Sequence, residues 1–210
     1  MKSTSKMIPL AAKRGAAYTM AAAAAASAAD AQAAVVYSGV QNLAIGQFSS
    51  QDLNLDGDAY NDILLKNYVF GGGNYQGATV QFYPGKLVGF NNGLAYASAL
   101  GPCAVIDSST VGADFFGTLA YGSFDPNAEF NNANGAFIGL SFPIAGATHY
   151  GWVRVTIDNA AGTFVINDWA YEDVAGAGIT TPCVPEPTTL GLLAAGAVGV
   201  AAMRRRKAAA

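Results

Sequence analysis

An all-β protein, built as an antiparallel β-sandwich, is what the sequence predicts, and three observations predict it. No long apolar pattern with a 3.6-residue period runs through residues 34–183. Short β-rich runs recur there instead. Clusters of Gly, Asn and Asp separate them, and many short strands with such turns are the pattern of a sandwich.

In chain order, strands are expected over residues 34–37, 62–69, 78–83, 94–97, 117–121, 136–142, 150–157 and 163–171. Turn signals lie between them at Gly71-Gly72-Gly73-Asn74, Asn91-Asn92-Gly93, residues 131–135 and residues 158–162. The last hairpin is the clearest. Val153, Val155 and Ile157 share one face, while Trp152, Arg154 and Thr156 share the other. Phe164 and Ile166 then alternate with Val165 and Asn167. A period of two over both runs makes this hairpin a core element.

Two targeting segments flank the β-rich region. Lys2, Lys6, Lys13 and Arg14 precede a small-residue apolar run over residues 15–29, and Ala31-Gln32-Ala33 follows. Basic, apolar and small-residue regions in that order make a secretory signal peptide over residues 1–33. Cleavage after Ala33 would start the mature chain at Ala34. The β-sandwich domain is then expected over residues 34–183. Beyond it, Pro185 and Pro187 stiffen a non-helical stretch. An uncharged apolar run from Leu190 to Met203 follows, closed by Arg204, Arg205, Arg206 and Lys207. Fourteen helical residues reach about 21 Å, short of the roughly 30 Å hydrocarbon core. The basic cluster would stay on the cytoplasmic side and leave the domain outside.

Removing both ends changes the charge. Between Ala34 and Val184 stand only Lys66, Lys86 and Arg154, against ten Asp and two Glu. A domain that acidic disfavours nucleic acid, which needs clustered Lys and Arg. It suits divalent cations and keeps an exported domain soluble.

Pro185-Glu186-Pro187, the short apolar segment and the Arg-rich end together resemble the PEP-CTERM sorting signal, over residues 184–207. The resemblance implies recognition by exosortase, a membrane transpeptidase-like enzyme of Gram-negative bacteria, with cleavage near Pro185-Glu186-Pro187. It implies a protein held briefly in the inner membrane, then delivered to the surface or the extracellular matrix, and associated with exopolysaccharide or biofilm. His149 through Trp152 and Trp169 through Glu172 also resemble a β-rich ectodomain found ahead of such tails. That likeness implies a fold and a surface setting, and no reaction.

Cys103 and Cys183 both lie in the exported part, where disulfides persist. One pairing is open to them, closing a loop of about 80 residues, and two independent thiols are the alternative.

The best candidate for site chemistry is Asp52-Leu53-Asn54-Leu55-Asp56-Gly57-Asp58-Ala59-Tyr60-Asn61-Asp62. Oxygen side chains at alternating positions, with Gly for a sharp turn, can wrap a hard cation such as Ca²⁺. The expected ligands are Asp52, Asn54, Asp56 and Asp62, with Asp58 as substitute. Ile63 stands where an EF-hand loop carries Glu, and Tyr60 stands where shorter extracellular loops carry their final Asp. A solvated Asp/Asn turn is the alternative.

His149 is the only histidine, so a multi-histidine or Cys/His zinc site is excluded. No G-x-S-x-G elbow is present. Carboxylate pairs for a glycosidase would come from Asp168, Glu172 and Asp173, or from Asp107, Asp114 and Asp125. Trp152, Trp169 and the tyrosines would serve a sugar platform or, more simply, the core. The expectation is a non-enzymatic surface or matrix protein. The alternatives are a Ca²⁺-assisted lectin-like module and a secreted, carboxylate-dependent glycoside hydrolase.

Overall fold

Alternation of buried and partly exposed side chains over 153–158 and 163–172 fits the long antiparallel hairpin that these segments form. The computed structural model describes residues 34–183, apart from Ala113. The chain divides into two units between Ala34 and Val35, and every described strand belongs to the second. Ala33 with the expected signal segment, and Pro185, Glu186, Pro187, Arg204, Arg205 and Arg206 with the expected apolar helix, lie outside the described residues. Among the described residues no helix is long and apolar enough to cross a membrane.

The described strands are, first, β1 (Val35–Tyr37), β2 (Leu43–Ile45), β3 (Ser49–Leu53), β4 (Ile63–Phe70) and β5 (Gly73–Val80). Then come β6 (Lys86–Leu87), β7 (Gly89–Asn92), β8 (Leu94–Ala97), β9 (Val105–Ile106) and β10 (Phe116–Ala120). The last are β11 (Asn134–Ile144), β12 (Ala147–Asp158), β13 (Thr163–Glu172) and β14 (Ile179–Thr180). One sheet runs β1-β13-β12-β11-β6, with β2 also paired to β13. The other runs β3-β4-β5-β10-β8-β7, and β9 with β14 forms a small ribbon. The protein is all-β, and its strand pairings are antiparallel except that of β8 with β10. The excursion over residues 98–115 is long enough for the chain to return in the same direction.

The main core gathers side chains of both sheets. Ile63, Leu65, Val80 and Leu119 come from one, and Ile138, Leu140, Val153 and Val155 from the other. A second cluster covers the opposite face of the β12 sheet, where Tyr150, Trp152 and Ala170 pack with Val88, Ile106 and Ile179.

A β-bulge joins these two layers. Arg154 pairs with Asp168 and Val155 with Ile166, so Asn167 is an extra residue in β13. The bulge turns the strand over: Phe164 and Ile166 belong to the main core, but Ala170 belongs to the second cluster.

One expected strand is displaced. The run expected over 78–83 starts at Gly73 and ends at Val80. Gln81 still donates its N–H to Asp62 O, but the chain then turns through Phe82–Gly85, where Gly85 N bonds Phe82 O.

Polar side chains stitch the sheets at one end. Gln76 Nε2 donates to Asn67 Oδ1 at 2.8 Å, and Asn159 Nδ2 donates to Gln76 Oε1 at 2.7 Å. All three residues are buried, so each amide needs these partners. Near the end of the domain Cys103 and Cys183 are joined by a disulfide, with Cα atoms 4.7 Å apart. Thr181 reinforces the closure, since its N–H bonds Ala104 O and its Oγ1 accepts from Ala104 N, both at 2.9 Å.

Candidate functional site

The acidic segment is the hairpin connection between β3 and β4. Leu53 pairs with Ile63, and Asp62 N closes the loop by bonding Leu53 O at 2.8 Å. Leu55 is buried in the main core and holds the loop against the domain. Short Asn and Asp side chains favour local bonds to nearby backbone, and this loop is full of them. Asn54 Oδ1 accepts from Gly57 N at 2.6 Å, and Asn54 Nδ2 donates to Asp58 O at 2.6 Å. Asp56 Oδ1 accepts from Asp58 N at 3.0 Å, and Asp58 Oδ1 from Tyr60 N at 2.6 Å. Gly57 takes a φ of 78°, which a side chain would resist.

Of the five residues expected as ligands, Asp56 and Asp58 lie near enough to Asp62 for their charges to act on it. Asp62 is 4% exposed, and its Oδ2 accepts from Leu55 N at 2.6 Å. Burial pushes its pKa up to about 7, and the nearby charges of Asp56 and Asp58 add to the rise. The backbone N–H groups of Leu55 and Asp56 oppose it. Asp52 sits on β3 and accepts from Gln81 Nε2. Asn54 braces the turn. Among the described residues no three His, Cys, Asp or Glu side chains gather closely enough to hold a metal ion. Asp56 Oδ2 is nevertheless buried without a hydrogen-bond partner.

The other carboxylates are engaged. Asp168 is buried, bonded in a two-pronged pair to Arg154 and accepting from Tyr37 Oη at 2.8 Å. Arg154 and Asp168 face each other because the bulge at Asn167 sets that register. Asp107 caps its own turn, and the Ser109 hydroxyl bonded to it holds its pKa low. Asp114 accepts from Asn91 Nδ2 at 2.6 Å, and Asp125 accepts from Tyr96 Oη. Glu172 is buried and accepts from Val174 N at 3.2 Å.

His149 is also buried, with Nδ1 2.8 Å from Glu172 O. Trp152 is 3% exposed and packs edge-on to Phe137. Trp169 lies half-buried against the main core. These tryptophans are packing residues.

The exposed aromatics lie elsewhere. Tyr60, Phe82, Tyr83 and Phe115 are exposed, and Tyr60 meets Phe82 edge-on at 5.4 Å between ring centres. Reading residues 78–83 as one strand hid this group. The signal that could have found it is Pro84-Gly85, a turn dipeptide directly after Phe82 and Tyr83.

Residues 184–207 match the PEP-CTERM protein-sorting motif. No curated protein and no solved structure matches the chain. The match begins at the residue after Cys183, where the disulfide closes the β-domain. The chain thus carries a PEP-CTERM protein-sorting motif behind an all-β domain, and it is an exported protein sorted by exosortase and transiently anchored in the membrane before processing.

Proposed function

We propose that the β-domain is a non-enzymatic component of the cell surface or extracellular matrix that associates with exopolysaccharide. The observation that carries this reading is the sorting motif, because a chain sorted that way works outside the cell. The state of the carboxylates supports it. Asp168 is tied to Arg154 and Tyr37, and Glu172 to Val174. A glycosidase needs two carboxyl groups free to face one scissile bond.

Co-sedimentation of the full-length protein with exopolysaccharide purified from the producing cells tests the reading. Recovery in the polysaccharide pellet, without release of reducing sugar, is expected. Absence from the pellet contradicts it. Release of reducing sugar that is lost in Asp168→Asn or Glu172→Gln would favour the hydrolase instead.

A calcium-assisted, lectin-like form of the same reading is favoured by one observation. Asp56 Oδ2 is a buried carboxylate oxygen without a hydrogen-bond partner, in a loop where, among the described residues, no three acidic side chains gather at one point. Leaving such an atom unpaired is costly, and a bound cation would satisfy it. Millimolar Ca²⁺ should then raise the melting temperature by several degrees over a chelated sample, since a ligand of the native state stabilises it. No shift in Tm rejects calcium.

A further inference from the structure

Tyr83 is 95% exposed and makes neither a ring contact nor a hydrogen bond among the described residues. A large ring left bare in this way asks for a partner, and the turn that carries it is firmly built. Gln81 N is bonded to Asp62 O at 2.9 Å, Gly85 N to Phe82 O at 2.7 Å, and Lys86 N to Ser141 Oγ at 3.1 Å. A side chain at Gly85 would meet Phe82 O at 2.7 Å and Ser141 O at 2.9 Å, so the turn packs tightly against β11. Three braces and a close-packed glycine hold Tyr83 out in solvent.

Open grooves run on both sides of this turn. One, of about 450 Å³, is lined by Asp58, Tyr60, Asp62, Phe82 and Tyr83, with the Ala145-Gly146 turn as its far wall. The other, of about 400 Å³, is lined by Phe82, Tyr83, Lys86 and Phe115. Because both grooves are lined by Phe82 and Tyr83, they adjoin at those two rings. Each falls in the size range of ligand sites.

We propose that this double groove is a saccharide-binding site for an uncharged glycan chain, with Tyr83 and Phe82 stacking on sugar rings and Asp58 and Lys86 bonding hydroxyls on either side. This deepens the exopolysaccharide reading and rests on it. Two grooves that adjoin at shared rings offer neighbouring subsites, which argues for a chain. The lining argues for sugar, since exposed ring faces meet the C–H face of a pyranose while carboxylate and ammonium groups take its hydroxyls. The charge argues against a polyanion. Asp58 and Asp62 line the first groove, Asp56 lies close by, and Lys86 is the one basic residue lining the pair. The other exposed ring cluster is less suited. Around Phe70 and Phe124 the rings pack on one another, with Phe70, Tyr75 and Tyr121 tilted by 54° to 86°. Neither of the two grooves is lined by those rings.

Calorimetric titration of the full-length protein with β-1,4-linked gluco-, manno- and xylo-hexaose, and with a polyguluronate hexamer, tests the site. At least one neutral hexaose should bind, and Tyr83→Ala should weaken it tenfold or more. Tyr83→Phe should keep most of the affinity, because the ring remains. Phe124→Ala removes a ring that is 64% exposed in the other cluster and should leave binding unchanged. If a hexaose or the purified exopolysaccharide binds and Tyr83→Ala and Phe82→Ala bind it equally well, the site is wrong while the exopolysaccharide reading stands. If the exopolysaccharide does not bind either, both fall. Preference for polyguluronate in the presence of chelator overturns the choice of an uncharged ligand.

Discussion

Asp62 is buried with two other aspartates for neighbours, and its proton is linked to stability. Burial raises its pKa to about 7, well above the roughly 3.9 of an unfolded aspartate. Below about pH 4 both states hold the proton. Between about pH 4 and 7 the unfolded chain releases it while the folded chain keeps it, so stability falls as pH rises. The loss is complete above the folded value and amounts to at most a few kcal/mol, on the order of magnitude that proton linkage allows. Asp62→Asn keeps an acceptor for Leu55 N but carries no charge. Urea denaturation in chelator should therefore find wild type and variant similar near pH 4, with the variant increasingly the more stable towards pH 8. Parallel pH profiles would refute this. None of this was legible in the sequence, where Asp52, Asn54, Asp56, Asp58 and Asp62 read as one alternating ligand set. Alternation is equally the pattern of a turn braced by its own side chains, and that is how Asn54 and Asp58 are used.

The elements that the sequence revealed best are those with an alternating run or a clear turn signal beside them. The hairpin of β12 and β13 is one, and β8 spans the expected residues. Strands of two or three residues, such as β2, β6, β9 and β14, are too short to show a period. The bulge at Asn167 was hidden for another reason: nothing in Ile166-Asn167-Asp168 marks which residue goes unpaired. Yet it decides that Asp168 meets Arg154. In β5 the run Gly73-Asn74-Tyr75-Gln76-Gly77 carries turn-type residues but forms strand. Its Gln76 is needed in the buried amide network. Replacing Gln76 by Ala leaves Asn67 Oδ1 without its donor and Asn159 Nδ2 with Asn74 O alone. That should cost about 1–3 kcal/mol, measured by urea unfolding, and a cost under about half a kcal/mol would deny the network its role. Gly85→Ala should destabilise the fold by about 1–3 kcal/mol, because backbone oxygens of Phe82 and Ser141 cannot give way cheaply. A neutral outcome would mean that the Tyr83 turn is not rigidly packed.

On the scale of the whole molecule, the protein is an acidic, all-β domain closed by one disulfide and followed directly by its sorting motif. The disulfide closes a loop across a sequence separation of 80 residues, for which chain entropy gives at most about 4–5 kcal/mol. The Cys103→Ser, Cys183→Ser double variant should melt well below wild type under oxidising conditions, and identical melting would deny the bond a stabilising part. Its position also means that processing beyond Cys183 leaves the closed domain whole. Intact-mass spectrometry of the protein recovered from the cell exterior tests the central claim most directly. Export and exosortase sorting together predict a chain that starts near Ala34 and lacks the residues beyond Pro187. A recovered chain that still carries Arg204, Arg205, Arg206 and Lys207 would contradict it.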